Sequence, residues 1–158
     1  MAKTKKSIQD LLDREAIRDL PLRYCDCVWR DDINGLVKLF ARDGEFTMEA
    51  NGKKARAVGH TNLRKLYREG LAMGPRPFIH NHVVELKKED HAVGRCYLDL
   101  RSTKEKMNFI GAGYYQDDYV KEKGEWKFAR REFFALRFDG PTVATQDPPR
   151  RAKRTVKA

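Results

Sequence analysis

Met107-Asn108-Phe109-Ile110-Gly111-Ala112-Gly113-Tyr114-Tyr115-Gln116-Asp117-Asp118-Tyr119-Val120-Lys121, then after Lys123-Gly124 the run Glu125-Trp126-Lys127-Phe128-Ala129-Arg130-Arg131-Glu132-Phe133-Phe134-Ala135-Leu136-Arg137-Phe138, reads as two long strands joined by a tight turn. Aromatic residues recur through both runs, and Lys123-Gly124 is a short polar punctuation between them. Gly111 and Gly113 lie two apart, so one sheet face loses its side chains at two successive positions. Either the sheet bends there or a ligand approaches the backbone.

Two further strands precede this pair, at about 78 to 88 and 91 to 103, so the second half of the chain is an antiparallel meander. Upstream, Glu45-Phe46-Thr47-Met48-Glu49 alternates like a strand, and Asn51-Gly52 is a tight-turn signal before Lys53 to Val58, which makes a hairpin. Three helices complete the order. Ser7 can cap the first, in which Ile8, Leu11, Leu12, Ala16, Leu20, Tyr24 and Cys27 or Val28 recur at helical spacing, so one face from about 8 to 29 should be buried. Pro21 removes a backbone donor and should kink it. Asp31 or Asp32 can cap a short second helix carrying Leu36, Leu39 and Phe40 and ending near Asp43-Gly44; Thr61 starts a third with Leu63, Leu66, Tyr67 and Leu71. Helices, hairpin, helix and meander, without βαβ alternation, define an α+β domain. A curved antiparallel or mixed sheet wrapped around three helices encloses a cone-shaped space.

A chain of 158 residues is one domain, and its 41% hydrophobic and 35% charged composition fits a folded one. Expected boundaries are a flexible basic N-terminus over 1–7, the domain over 8–139 and a flexible basic tail over 140–158. No apolar run has the length of a membrane span and none forms a signal-peptide core, so a cytoplasmic protein with no membrane partner is expected. The net charge of +10 gathers at Lys3, Lys5 and Lys6 and at Arg150, Arg151, Lys153, Arg154 and Lys157. The body between is only about +3. Basic ends without aromatics are poor grounds for nucleic-acid recognition. Cys25, Cys27 and Cys96 lack framework or zinc spacing and read as reduced thiols. Phosphate-loop, dinucleotide, nucleophile-elbow and HExxH motifs do not occur, which points to chemistry without a cofactor.

Ala16-Ile17-Arg18-Asp19-Leu20 with Tyr24, then Leu39-Phe40-Ala41-Arg42-Asp43-Gly44, then Asn81 leading into Val84, and Tyr119 with Trp126-Lys127-Phe128 resemble the SnoaL-like family of the nuclear transport factor 2-like superfamily. The resemblance covers roughly residues 8–139. It implies the cone fold and a small-molecule pocket; it says less about the reaction, because function lives in the site. The family includes scytalone dehydratase, hexachlorocyclohexane dehydrochlorinase and polyketide cyclases, which work without cofactors. In the first two, an Asp ending the first helix orients a His that acts as base. A carboxylate beside an imidazole fixes its tautomer and raises its basicity. Here the Asp position falls on Trp29 and the His position on Pro77, so the pair is replaced. Other dehydrochlorinase pocket positions match Tyr24, Phe46, Tyr115 and Arg131, with Phe133 and Ala135 continuing the last strand's face.

Four residues are the catalytic candidates: His80, His82, Tyr115 and Arg131. His80 and His82 should share one strand face, where they are satisfied strand histidines, a replacement base or, lacking an evident third ligand, a poor metal site. Arg131, facing inward, needs an acid such as Asp117 or else steadies a developing oxyanion. Tyr24, Trp29, Phe46 and Phe133 are candidate substrate-binding residues; each could equally be core. Together they imply a flat aromatic substrate. The expected function is a cofactor-independent lyase of the dehydratase, elimination or deformylation type, including formaldehyde loss from lignin-derived diarylpropanes. The alternative is a non-catalytic ligand-binding protein or an accessory subunit, such as the small subunit of a ring-hydroxylating dioxygenase. The outer sheet face is expected to pack on further copies as a dimer or trimer.

Overall fold

The computed structural model describes residues 2–141. Its elements are α1 (Ala2–Trp29), α2 (Ile33–Lys38), β1 (Phe40–Ala50), β2 (Lys53–Val58), α3 (Gly59–Ala72), β3 (Pro75–Lys88), β4 (His91–Ser102), β5 (Asn108–Glu122) and β6 (Glu125–Phe138), with a 3₁₀ turn at Thr103–Glu105. The six strands form one mixed sheet in the order β2-β1-β6-β5-β4-β3. Only β1 with β6 is parallel. The sheet is open, with β2 and β3 as its edges. This is an α+β fold: α1 packs on β3 and β6, and α3 on β1 and β2, so the helices cover the inner face and the core lies between.

The meander follows the sequence expectation closely, and both prolines at the start of β3 are tolerated because β3 is an edge strand. The Asn51-Gly52 turn has positive φ at both residues, as a two-residue hairpin demands. The two-glycine signal resolves as a bend. A Cβ at Gly113 would overlap the Phe134 carbonyl oxygen, and one at Gly111 would lie 2.7 Å from that of Arg137, so it is β6 and not a ligand that comes close. Pairing slips here, with Ala112 opposite Arg137 and Gly113 opposite Ala135, so an extra residue of β6 curls the sheet toward the helices.

Three expectations are corrected. Phe40 does not belong to α2: α2 stops at Lys38 and β1 begins at Phe40, five residues before the alternating run, with a break in its pairing to β6 before Glu45. Alternation is invisible across such an irregularity. On α1, Ile17, Leu20, Tyr24 and Val28 are buried, whereas Ile8, Leu11, Leu12 and Ala16 are exposed. α1 is tied to the sheet at Asp13, which meets Lys121 and Trp126, and at Arg14, which reaches the Val84 carbonyl. The helix also starts at Ala2 and runs unbroken through the buried Pro21. At the other end Asp139 N donates to Ile110 O and Gly140 is buried. The tail beyond Pro141 lies outside the described residues.

Candidate active site

Between α1, α3 and the curled ends of β5 and β6 is a cavity of about 110 Å³. Its wall is built from apolar side chains, among them Phe46, Met48, Leu100, Phe133 and Phe138. Three of its side chains carry a hydrogen-bonding group apart from the thioethers, and all three are phenols: Tyr24 from α1, Tyr67 from α3 and Tyr115 from β5. The Tyr24 hydroxyl donates to that of Tyr67 at 3.1 Å, and the Tyr115 ring packs against Tyr24. Their rings meet edge-on, Tyr24 with Tyr67 at 5.9 Å and with Tyr115 at 5.7 Å between centroids. Burial pushes all three phenols above their ordinary pKa, Tyr67 and Tyr115 well above it. They are neutral donors and acceptors at physiological pH.

Behind Tyr24 and Tyr115 lies a charged network. Arg131 on β6 is fully buried and makes a two-pronged bond to fully buried Asp117 on β5, Nε to Oδ1 and Nη2 to Oδ2, both 2.8 Å. Tyr119 donates its hydroxyl to Asp117 Oδ2 at 3.0 Å, and His82 Nε2 lies 3.0 Å from the Tyr119 hydroxyl. With that hydroxyl donating to a carboxylate, His82 serves as the Nε2–H donor, leaving Nδ1 without a partner among the described residues. Burial pulls the His82 pKa down to about 4, so the imidazole is neutral. Gly94 makes room for this contact: a Cβ there would sit 3.0 Å from the Tyr119 ring and 3.1 Å from His82 Nε2. Burial alone would lower the Arg131 pKa, but the Asp117 carboxylate holds it well above its usual value.

The sequence candidates therefore divide. Tyr24, Phe46, Tyr115 and Phe133 line the cavity together. Arg131 and His82 do not: the inward face of β6 was correctly assigned, but the phenol rings stand between the guanidinium and the cavity, and Asp117 takes the place of a substrate oxyanion. His80 and His82 do not share a face. Pairing of β3 with β4 slips between Ile79 and His82, where a bulge inserts an extra residue and reverses the alternation. His80 is exposed, 3.3 Å from Asp99. Trp29 is also outside the wall. It is 39% exposed, packs edge-on against Phe78 and donates its indole N–H to the Pro77 carbonyl at 2.9 Å. Pro77 itself does line the cavity. Tyr67 lines the cavity too and is not among the site residues the sequence singled out. Its place on the apolar stripe of α3 marked it as core, and nothing in spacing says which stripe member meets a void.

A curved sheet closed by helices around an apolar cavity is the architecture of a known family, and its sequence profile matches residues 9–132. The chain belongs to the SnoaL-like domain family. Sequence comparison with curated proteins finds no match. Among solved structures, the SnoaL-like domain described here is similar to a scytalone dehydratase-like protein from Novosphingobium aromaticivorans, with 26% identity, 93% of this chain and 99% of that chain covered and a TM-score of 0.73. It is similar in fold to a nuclear transport factor 2-like protein with a cystatin-like fold from the same organism, at 23% identity, 86% and 90% coverage and a TM-score of 0.75. It also shares the fold of hexachlorocyclohexane dehydrochlorinase LinA-type3 from Novosphingobium barchaimii LL02, at 20% identity, 90% and 99% coverage and a TM-score of 0.73. Among the described residues, no helix is long and apolar enough to cross a membrane.

Proposed function

We propose that this SnoaL-like domain takes a flat, largely apolar aromatic molecule into the cavity and catalyses a cofactor-independent lyase reaction on it. The observation that carries the reading is the wall itself: apolar throughout, with three neutral phenols gathered at one place. An elimination driven by a substrate phenol through a quinone methide withdraws negative charge from a substrate oxygen and, on rearomatisation, returns it. Phenol donors fixed in a dry cavity are suited to that oxygen and need no reorganisation when charge moves. The Tyr24, Tyr67 and Tyr115 hydroxyls would bind it, and Phe46 and Phe133 would flank the ring. The substrate phenol's proton leaves with the departing hydroxide as water and a quinone methide forms. Where a hydroxymethyl carbon adjoins the methide, as in a diarylpropane, its C–C electron pair moves into the methide, its hydroxyl proton passes to the ring oxygen and formaldehyde leaves. With Trp29 and Pro77 at the positions of the family's acid-base pair, the push comes from the substrate's own oxygen and not from a wall imidazole. The scytalone dehydratase-like neighbour supports this class of reaction.

The test is turnover and binding with a panel of aromatic ketones, hydroxylated aromatics and diarylpropanes, followed by ultraviolet spectra and mass spectrometry. Tyr115→Phe and Tyr67→Phe should each reduce turnover at least about tenfold while the fold persists, the loss typical of a donor aimed at a developing charge. Full activity in the Tyr67→Phe, Tyr115→Phe double variant would remove the phenols from the chemistry. A ligand-binding role without turnover is the second reading. It is favoured by the wall's ionisable groups all being neutral phenols, and it predicts binding without product. Exposed Val83, Phe134 and Leu136 support a homo-oligomer, which sedimentation would read.

A further inference from the structure

We propose that Arg131 is a positioning residue for the ligand-binding phenols: fixed by Asp117, its guanidinium holds the Tyr24 and Tyr115 rings and strengthens their hydroxyls as donors toward a ligand oxygen. This rests on the proposed function, in taking those phenols to be what the ligand oxygen meets.

The geometry is that of a cation packed among rings. The Arg131 Cζ lies 3.9 Å from the Tyr115 ring centroid, 4.4 Å from that of Tyr24 and 4.2 Å from that of Phe128, all well inside the distance at which a cation is attracted to a ring face. Nε and Nη2 are committed to Asp117, and Nη1 has no hydrogen-bond acceptor among the described residues. Rings, not oxygens, therefore receive that side of the charge. A cation over a phenol ring draws electron density from the ring and so from its oxygen, which makes the O–H a better donor. Tyr24 and Tyr115 thus stand between the ligand and a permanent positive charge, and they can transmit it without exposing it.

Arginine and aspartate suit this role for distinct reasons. The planar guanidinium can stack on rings while its edge bonds a carboxylate, which a lysine ammonium cannot do. The two-pronged bond fixes the plane of the fork, and Tyr119, donating to the same carboxylate, fixes Asp117 in turn. Full burial of both partners excludes the water that would screen the charge.

The experiment compares wild type with Arg131→Met/Asp117→Leu, which removes cation and carboxylate together so that no buried charge is orphaned. Arg131→Lys serves if the double variant does not fold. Two readouts are taken: the Kd values of acetophenone and of its methylene isostere α-methylstyrene, and the chemical shifts of isotope-labelled tyrosine Cζ without ligand. Acetophenone binding should weaken about fivefold, part of the worth of the two phenol hydrogen bonds that lose position and polarisation together, while α-methylstyrene stays within about twofold. The Tyr24 and Tyr115 Cζ signals should move in the variant. Equal losses for the two ligands, or none for either, would overturn the proposal. If wild type binds neither probe, the cavity reading for such ligands fails by itself, and the Cζ shifts decide this inference: unmoved signals overturn it and moved signals sustain it.

Discussion

The two sides of the Tyr24–Tyr115 wall use polar groups in opposite ways. On the cavity side the polar groups are uncharged phenols that can exchange one partner for another. On the far side they are a guanidinium, a carboxylate and a phenol, all buried, joined to a half-buried imidazole, with the cation and the carboxylate already matched. The difference separates duties that a catalytic arginine would combine: charge stays where it is fixed and dry, and the ligand meets only neutral groups. The largest test of that division is Asp117→Ala. Leaving Arg131 buried without its carboxylate should cost about 3–5 kcal/mol in urea denaturation. Arg131→Met/Asp117→Leu should cost less than either single change. A single-variant loss below about 1 kcal/mol would mean the pair is not desolvated as its burial implies.

The cavity side should behave in reverse, with large effects on ligand and small ones on the fold. Ala55 is buried and lines the cavity, so Ala55→Leu places its added carbons in space a ligand needs. Affinity for any aromatic probe should fall at least about tenfold while stability shifts by no more than about 2 kcal/mol, read by titration and denaturation of the same sample. Tyr67→Phe removes one hydroxyl from the phenol group. It should cost about 1 kcal/mol of stability and weaken an oxygen-bearing ligand about fivefold. A greater stability loss than for Asp117→Ala would erase the contrast between the two sides.

What was legible in the sequence follows what leaves a periodic trace. The meander, the Asn51-Gly52 hairpin and the third helix each repeat a pattern over enough residues to be read, and the Gly111–Gly113 spacing located the bend. Tyr24, Phe46, Tyr115 and Phe133 came through the family resemblance, and all four line the cavity. Asp117 was named as a partner for Arg131 because a buried guanidinium needs one. Single-residue irregularities were not legible. The bulge after Ile79 turns His82 inward and leaves His80 outside beside Asp99, and the break before Glu45 hides the first half of β1. Trp29 looked like a wall residue because its position on α1 was assigned by counting. Whether the last turn of a helix points inward depends on where the sheet edge lies, and here Trp29 meets the Pro77 carbonyl on the outside of that edge. Ile8, Leu11 and Leu12 have the spacing of a buried stripe but are exposed.

A last test, confined to acid pH, tells whether the charged side stays dry. His82 is desolvated and lies near Arg131 and Arg18, which disfavour its protonation, while Asp117 partly favours it. Its pKa is therefore depressed from 6.5 in the unfolded chain to about 4 in the fold. Above pH 6.5 the imidazole is neutral in both states and contributes no slope. As pH falls from 6.5 toward 4, the unfolded chain binds a proton that the folded chain refuses, so stability declines across that window; below about 4 both states are protonated and the loss stops growing. His82→Gln keeps a donor toward Tyr119 but cannot titrate. The difference in denaturation midpoint between wild type and variant should be constant above pH 6.5 and should shift in favour of the variant as pH drops to 4. A difference that stays flat through this window would place water beside His82, and the polar chain behind the phenols would then be open to solvent at that end.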